Sequence, residues 1–203
     1  MTEPLTLYGD PGSGNCLKVK WVADRLGIPS IWRTIDVPGG GTRDPAFLAL
    51  NPAGRVPLVV FPDGETLSES NAIIVYLAEG SALVPEAARD RARMLQWMFW
   101  EQYSHEPYIA VRRYQLHYLK RAPDALDPKL AERGTDALRL MQATLERAAF
   151  MAGDALTLAD VALVAYTRMA HEGGFDLAAY PAIRAWIPRV EAGLGIGPYA
   201  GPA

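Results

Sequence analysis

The spacing of apolar positions changes several times between a strand-like and a helix-like period before Gly80. The predicted strands cover residues 5–8, 30–36, 56–61 and 65–67, and the predicted helices cover residues 15–26, 46–50 and 71–79, the last capped by residues 68–70. A helix between the first two strands suits a right-handed crossover, which makes those strands parallel. The turn at residues 62–64 makes the next two an antiparallel hairpin. The pattern therefore predicts a small mixed sheet, βαβ followed by ββα, with helices on its faces.

Beyond Gly80 the apolar spacing is helical to the end of the chain. Small residues around a proline indicate a linker at residues 81–88. The predicted helices after it cover residues 88–120 and 128–150, and two more begin at Thr157 and Pro181. The fold class is therefore α+β followed by all-α, with one domain at residues 1–80 and a second, all-helical domain at residues 89–203.

Two local signals refine the helical half. Pro107 lies inside the long helix, where a proline removes one backbone donor and clashes with the preceding turn, so we expect a break or kink there. In LTLADVALVA, Thr157 is placed to cap a helix while Asp160 reaches back to it, which is the pattern of a capping box. This helix start is strongly specified by its sequence.

Composition excludes several functional classes. The 203 residues are 50% hydrophobic with a net charge of -3, so the chain is expected to bury a core and offers no basic surface for nucleic acid. A single cysteine and three histidines argue against an internal disulfide and a structural zinc site. No charged leader precedes the first strand, and no apolar run reaches the roughly 18 residues of a membrane span. We expect a cytoplasmic protein without metal, nucleic-acid or membrane partners.

The segment LYGDPGSGNCLKV, residues 7–19, contains the first candidate chemistry. It leaves a parallel strand and enters a helix, which places backbone N–H groups and the positive end of the helix dipole beside Ser13 and Asn15. Open α/β sheets bind ligands at such strand ends. The structural alternative is that both side chains only cap the helix, because serine and asparagine favour that position.

Two further segments carry polar groups beside apolar strands. Pro57 at a strand entrance suits a cis bond after Val56, which would turn the Val56 backbone outward to pair with a peptide-like ligand, with Arg55 beside it. At a helix start, Ser70 and its N–H groups suit a carboxylate, and Glu69 suits an amine. The structural alternatives are a strand-start proline without a ligand and another helix cap.

Four blocks together resemble the glutathione S-transferase family, and the resemblance covers nearly the whole chain. These blocks are the corner LY…SGNCLKV, NPAGRVPLVV, SESNAIIVYL and LTLADVALVA, in this order and spacing. The resemblance implies a thioredoxin-like N-terminal domain that binds glutathione, a helical C-terminal domain, and a homodimer with the active site at the domain interface. It also implies that Asp160 is a structural capping residue and that no metal is needed.

The resemblance assigns a role to each matching residue. Ser13 falls where theta-like members place the catalytic serine and beta-class members a cysteine, and Asn15 falls where several bacterial members have an asparagine near the thiol. Val56, followed by Pro57, would pair with the cysteinyl backbone. Arg55 would bind the glycine carboxylate, and Glu69 and Ser70 would bind the γ-glutamyl end.

Some roles stay open in the sequence. Tyr8 is a rival thiolate donor, because alpha, mu and pi members use a tyrosine at the end of the first strand. Cys16 occupies the second position of a CxxC motif and is expected to pack as a small apolar residue, or to form a mixed disulfide with glutathione. The resemblance also makes Tyr103, Tyr108 and Arg112 candidate walls of an electrophile pocket, although core packing or dimer contact suits most aromatic residues of that helix.

The resemblance thus implies a detoxifying glutathione transferase. Its substrates would be glutathione, as co-substrate, and a small apolar electrophile, with disulfide reduction or peroxide reduction as side activities. The alternative is a binding scaffold that has the same fold without catalysis, because a fold does not fix a function.

Overall fold

A four-stranded mixed sheet forms the centre of the first half of the chain. In the computed structural model, which describes residues 3–199, the strand order is β2-β1-β3-β4. The strands are β1 (Leu5–Gly9), β2 (Ser30–Thr34), β3 (Leu58–Val60) and β4 (Thr66–Ser68). β1 and β2 are parallel, β1 and β3 are antiparallel, and β3 and β4 form an antiparallel hairpin. The predicted mixed sheet and its strand directions are confirmed.

Three helices complete this unit: α1 (Gly14–Arg25), α2 (Pro45–Leu50) and α3 (Ser70–Leu77). Helices α1 and α3 pack against each other, and most of their buried positions are apolar. The core side chains of this unit include Leu7, Val19, Val22, Leu58, Val59, Ile73 and Ile74. Burial of each such side chain stabilises the fold by about 1.5–3 kcal/mol, so this apolar contact fixes the position of the two helix starts.

The turn from β4 into α3 differs from the prediction. Residues 68–70 were expected to cap this helix through a side chain, but its N-cap is Glu69 and no side chain bonds to the first turn. Glu69 has a φ of 68°, in the left-handed region that non-glycine residues rarely adopt. The N-cap therefore lies within the predicted residues 68–70, but the cap is made without a side-chain hydrogen bond.

The helical half begins at Ala82, where the chain divides into its second compact unit. Its helices are α4 (Ala88–Trp100), α5 (Glu106–Arg113), α6 (Pro128–Leu145), α7 (Leu158–Thr167) and α8 (Pro181–Leu194). No strand longer than an isolated bridge occurs between residues 82 and 199. The ends of the predicted domains, residues 1–2 and 200–203, lie outside the described part of the chain.

The long helix expected at residues 88–120 is interrupted twice. A π-helical turn, Glu101–His105, separates α4 from α5, and Pro107 lies in the first turn of α5. The proline has no N–H to donate, so the wider π turn just before it accommodates the missing hydrogen bond. A second π turn, Tyr114–Tyr118, follows α5, and it contains no proline from which it could be predicted.

Helix α7 is the centre of this unit, since all ten of its residues are buried. Asp160 holds its start. The carboxylate accepts hydrogen bonds from the Thr157 backbone (3.0 Å) and hydroxyl (3.2 Å), from the Met151 backbone (2.8 Å), and from the Trp186 indole of α8 (2.9 Å). Burial raises the pKa of Asp160, and these hydrogen bonds oppose that rise. The predicted capping box is confirmed, and it joins three separate segments.

The segment after α8 is bonded back onto the same unit. The Tyr199 hydroxyl donates to Glu172 (2.5 Å), whose other oxygen accepts from buried Arg113 (2.5 Å). Arg168 donates to the carbonyl of Gly197 (2.9 Å). Burial would raise the pKa of Glu172, but the Tyr199 hydrogen bond and the Arg113 charge outweigh it and lower that pKa. The pKa of Tyr199 is raised to about 12 by burial and by the same carboxylate.

Candidate active site

The loop after β1 is shaped by Asp10, a residue that the sequence interpretation did not single out. Its Oδ1 accepts from the backbone of Gly12 (2.7 Å), its Oδ2 from that of Val37 (3.4 Å), and its carbonyl from that of Ser13 (3.0 Å). An aspartate followed by proline often starts a turn in this way, so the sequence did contain the signal. The effect is to hold Ser13 at the start of α1.

Ser13 is the N-cap residue of α1, as the structural alternative predicted. Its Oγ accepts from the backbone N–H of Cys16 (3.4 Å), and the side chain is half-buried. This contact uses an oxygen lone pair and leaves the hydroxyl proton for another acceptor. Capping and hydrogen bonding to a ligand are therefore compatible in the same side chain.

Cys16 lies behind this corner with no exposed surface. Burial raises the pKa of its thiol to about 11, and a hydrogen bond with the Ser13 side chain opposes the rise only in part. Because the thiolate is the reactive form, this cysteine is not activated for nucleophilic attack at neutral pH. Its geometry agrees with the apolar packing expected from the sequence.

Asn15 and Ser70 meet although they are 55 positions apart in the chain. The Ser70 hydroxyl donates to Asn15 Oδ1 at 3.2 Å, which links the start of α1 to the start of α3. Ser70 is 5% exposed and Asn15 is half-buried. One turn further along α1, the Lys18 ammonium donates to Asn71 Oδ1 at 3.4 Å. Lys18 is fully buried, which the sequence could not show because a lysine usually lies at the surface.

The segment before β3 contains the predicted cis bond between Val56 and Pro57. The pairing of β3 with β1 begins at Leu58, so the Val56 backbone lies outside the sheet ladder. Asn51 supports the preceding turn, because its side-chain amide donates to the carbonyl of Arg55 at 2.8 Å. The Arg55 side chain is exposed, as is that of Glu69 at the start of α3.

Tyr8, the rival thiolate donor, is half-buried on β1. Its ring lies 6.0 Å from the ring of Phe47 in α2, in a tilted arrangement. This contact gives the tyrosine a packing role on one face of the sheet.

The three candidate wall residues of the helical half do not lie together. Tyr103 and Tyr108 both line a cavity of about 420 Å³, whose other walls are Trp100, Ser104, Arg133, Asp136, Ala137 and Leu140. Arg112 is held elsewhere, because its Nε donates to the carbonyl of Gly173 (2.8 Å) and its guanidinium lies over the ring of Phe175. The three residues were grouped as candidate walls by the resemblance to the family and not by their helical spacing.

Within residues 3–199, no three histidine, cysteine or acidic side chains cluster in a way that would hold a metal ion. Among the described helices, none combines the length and apolar character required to span a bilayer.

Comparison with known proteins covers both halves of the chain. Residues 12–79 match the family model described as the glutathione S-transferase N-terminal domain, and residues 83–193 match that of the C-terminal domain. Glutathione S-transferase 3 of Zea mays is 35% identical over 201 residues, which is 93% of this chain and 90% of the relative.

Two further relatives add to this comparison. The disulfide-bond oxidoreductase YfcG of Escherichia coli K12 is 30% identical over 166 residues, covering 77% of this chain and 76% of its own. A crystal structure of a glutathione S-transferase from Pseudomonas fluorescens superposes with a TM-score of 0.90 at 46% identity, and the match covers 94% of this chain and 96% of the other.

Proposed function

Because the chain belongs to the glutathione S-transferase family, we propose that Ser13 activates the thiol of bound glutathione for attack on a small apolar electrophile. The chain is a glutathione transferase with a thioredoxin-like N-terminal domain, and glutathione is its co-substrate. The non-catalytic scaffold considered from the sequence gains no support from the relatives. Detoxification of electrophiles is the role that this chemistry suits.

The task of the site is to ionise a thiol. A free thiol with a pKa near 8.5 is only about 3% ionised at pH 7. Lowering that pKa by about two units requires a bias of roughly 2.7 kcal/mol toward the thiolate. A hydrogen bond to a charged group supplies about 1.5–3 kcal/mol, and a helix N-terminus about 0.3–2 kcal/mol. One serine hydroxyl at one helix start is therefore sufficient.

The observation that carries this proposal is the geometry of Ser13. Its Oγ caps α1 by accepting a hydrogen bond, so its proton is not consumed by the cap. The neighbouring thiol of Cys16 would be only a weak acceptor for that proton. The thiolate of glutathione is a stronger acceptor and competes for the proton. We therefore assign the chain to a theta/beta-like bacterial type that has a serine at the thiol-activating position.

We assign the rest of the tripeptide to the flanking segments. The Val56 backbone, beside the cis bond to Pro57, pairs with the cysteinyl unit, and Arg55 meets the glycine carboxylate. Glu69 and Ser70 hold the γ-glutamyl end at the start of α3. The support is that Val56 lies outside the sheet ladder and that Ser70 lies at the start of a helix without a side-chain cap. Asn15 stands beside Ser13 at the same corner.

The ultraviolet thiolate difference signal tests this assignment. It is recorded across pH on adding glutathione to the wild type and to Ser13→Ala. Ser30→Ala is the matched control, because Ser30 of β2 pairs with Leu5 at the start of β1, the end opposite the loop that carries Ser13. We expect a lowered thiol pKa in the wild type and control, its loss in Ser13→Ala, and a turnover reduced about 10²-fold or more. An unchanged thiol pKa in Ser13→Ala would move the role to Asn15, Tyr8 or backbone amides.

For the second substrate, we propose that the cavity lined by Tyr103 and Tyr108 receives the apolar electrophile. Aromatic walls bury large apolar surfaces and stack on flat ligands. Arg112 is bonded to Gly173, so we assign it to packing within the helical unit. A Tyr108→Ala variant should raise KM for an aromatic electrophile and leave the affinity for glutathione unchanged. An unchanged KM would remove this cavity from the reaction.

The domain roles follow from the same assignment. Residues 1–80 bind glutathione, residues 81–88 link the domains, and residues 89–203 carry the electrophile pocket and the dimer contacts. We also propose a cytoplasmic homodimer; the dimer is supported by the exposure of Phe99 (73%), a large aromatic side chain that a partner would cover. Light scattering on a Phe99→Ser variant tests this, and a wild-type monomer would overturn it.

A second candidate activity is the reduction of disulfides, favoured by the 30% identity to the E. coli oxidoreductase. The glutathione thiolate attacks one sulfur of the substrate disulfide, forms a mixed disulfide and releases the other sulfur as a thiol after protonation. A second glutathione thiolate then forms glutathione disulfide and releases the second thiol. Glutathione supplies both electrons, so buried Cys16 is not required. Unchanged turnover of 2-hydroxyethyl disulfide in Cys16→Ala is expected, and a loss would implicate this cysteine. Peroxide reduction would use the same two thiols.

A further inference from the structure

The contact between Asn15 and Ser70 bears on how glutathione is recognised at its γ-glutamyl end. The sequence placed Asn15 near the thiol, beside Ser13. In the structure, the oxygen of the Asn15 amide instead receives the Ser70 proton at 3.2 Å. The amide of Asn15 is therefore oriented by α3 as well as by its own helix.

A serine hydroxyl has one proton and rotates among three staggered positions. At the start of α3, no side chain caps the first turn, and Ser70 is 5% exposed. The hydrogen bond to Asn15 fixes the Ser70 hydroxyl before any ligand arrives. Because its one proton is donated to Asn15, Ser70 offers its oxygen lone pairs to the γ-glutamyl ammonium, and the backbone N–H groups of the first turn of α3 remain for the carboxylate. A side chain that is already in place binds its ligand without the cost of being ordered at that moment.

Resting on the proposed function, we propose that Asn15 is a positioning residue for the γ-glutamyl end of glutathione, acting through Ser70, and that Ser13 alone donates to the thiolate. The two side chains of the α1 corner then serve different parts of one ligand. Ser13 acts on the ionisation of the thiol, and Asn15 acts on the affinity for the tripeptide.

The fold allows this role to be tested without separating the helices. The Lys18–Asn71 hydrogen bond joins α1 and α3 one turn away, and the buried side chains of Val19, Val22 and Ile73 pack at their contact. Truncation of Asn15 leaves all of these groups in place. An Asn15→Ala variant is therefore expected to fold.

The test uses glutathione and S-methylglutathione, which has no ionisable thiol. By calorimetric titration, we expect Asn15→Ala to lower the affinity for both ligands equally, by about 3- to 10-fold, which corresponds to one neutral hydrogen bond. The Ser13→Ala variant should lower the affinity for glutathione only. The double variant Asn15→Ala/Ser70→Ala should bind no more weakly than Ser70→Ala, because the two residues act as one unit. Ser30→Ala serves as the control.

Three outcomes separate the possibilities. If S-methylglutathione binds Asn15→Ala as tightly as the wild type while glutathione binds more weakly, Asn15 acts on the thiol and the inference is wrong. If the losses in the double variant add, Asn15 does not act through Ser70, which also overturns it. If the wild type binds neither ligand, the proposed function itself fails and the inference fails with it. The thiol pKa of bound glutathione, unchanged in Asn15→Ala, gives an independent check.

Discussion

Replacing Asp160 by alanine is expected to destabilise the helical unit strongly. The carboxylate accepts four hydrogen bonds, three of them from N–H groups of Met151, Thr157 and Trp186. A buried donor left without its partner costs about 1–3 kcal/mol. Three such donors therefore predict a loss of at least about 3 kcal/mol in the free energy of unfolding, out of the roughly 5–15 kcal/mol typical of a domain.

The structure provides a matched control for this variant. Asp127 caps α6 by accepting from the backbone of Lys129 at 2.9 Å, and this contact is exposed. Loss of an exposed cap costs about 0.5–2 kcal/mol, so Asp127→Ala should lose much less free energy of unfolding than Asp160→Ala. The loss of stability in Asp160→Asn should be intermediate between these two. The asparagine keeps an oxygen that accepts from Met151 and Trp186, but it turns an amide group toward Thr157.

Urea denaturation followed by tryptophan fluorescence measures the difference. At a slope of about 1–3 kcal/mol per molar urea, Asp160→Ala should lower the midpoint by about 1 M or more. The thiol pKa of bound glutathione in the folded protein should not change, since the Asp160 carboxylate is bonded to Met151, Thr157 and Trp186 at a helix start of the second unit. Equal midpoints for Asp160→Ala and Asp127→Ala would refute the argument that buried donors dominate the cost.

Three more predictions follow from other parts of the structure. Cys16 should react with a thiol reagent at neutral pH only after unfolding, because burial raises its pKa to about 11; fast labelling of the native protein would contradict this. The pKa of Glu172 is lowered from its ordinary value of 4.5, so this group stabilises the fold above pH 4.5, and that stability is lost as the pH falls through the folded pKa. The Tyr199→Phe variant removes one cause of the lowered pKa, so its stability should fall less steeply with acid than that of the wild type. Gly134→Ala should lower the melting temperature, because the new Cβ would lie 2.4 Å from the ring of Phe175; a companion Phe175→Leu substitution should recover part of the loss.

The sheet and most helices could be predicted because their signals are local. The alternation in β1, the apolar period of α1 and the capping box at Thr157 each depend on residues close together in the chain. The π turns could not be predicted in the same way. The first replaces a simple kink at Pro107, and the second, Tyr114–Tyr118, contains neither a proline nor a glycine that would mark it in the sequence.

The candidate site could be predicted only in part, for a related reason. Ser13 and the Val56–Pro57 bond were found because their neighbours in sequence determine their conformation. The contact between Asn15 and Ser70 depends on how α1 packs against α3, which no short segment specifies. Lys18 was overlooked because a lysine usually lies at the surface, and only its surroundings in the folded structure bury it.

The burial of Cys16 has a practical consequence for anyone who studies motion in this protein. It is the single cysteine of the chain, and no part of its side chain is exposed. A cysteine introduced at an exposed position such as Glu132 would therefore be the one thiol available to a fluorophore or a spin label. The native chain can serve as the background for distance measurements in solution, with no need to replace its own cysteine first.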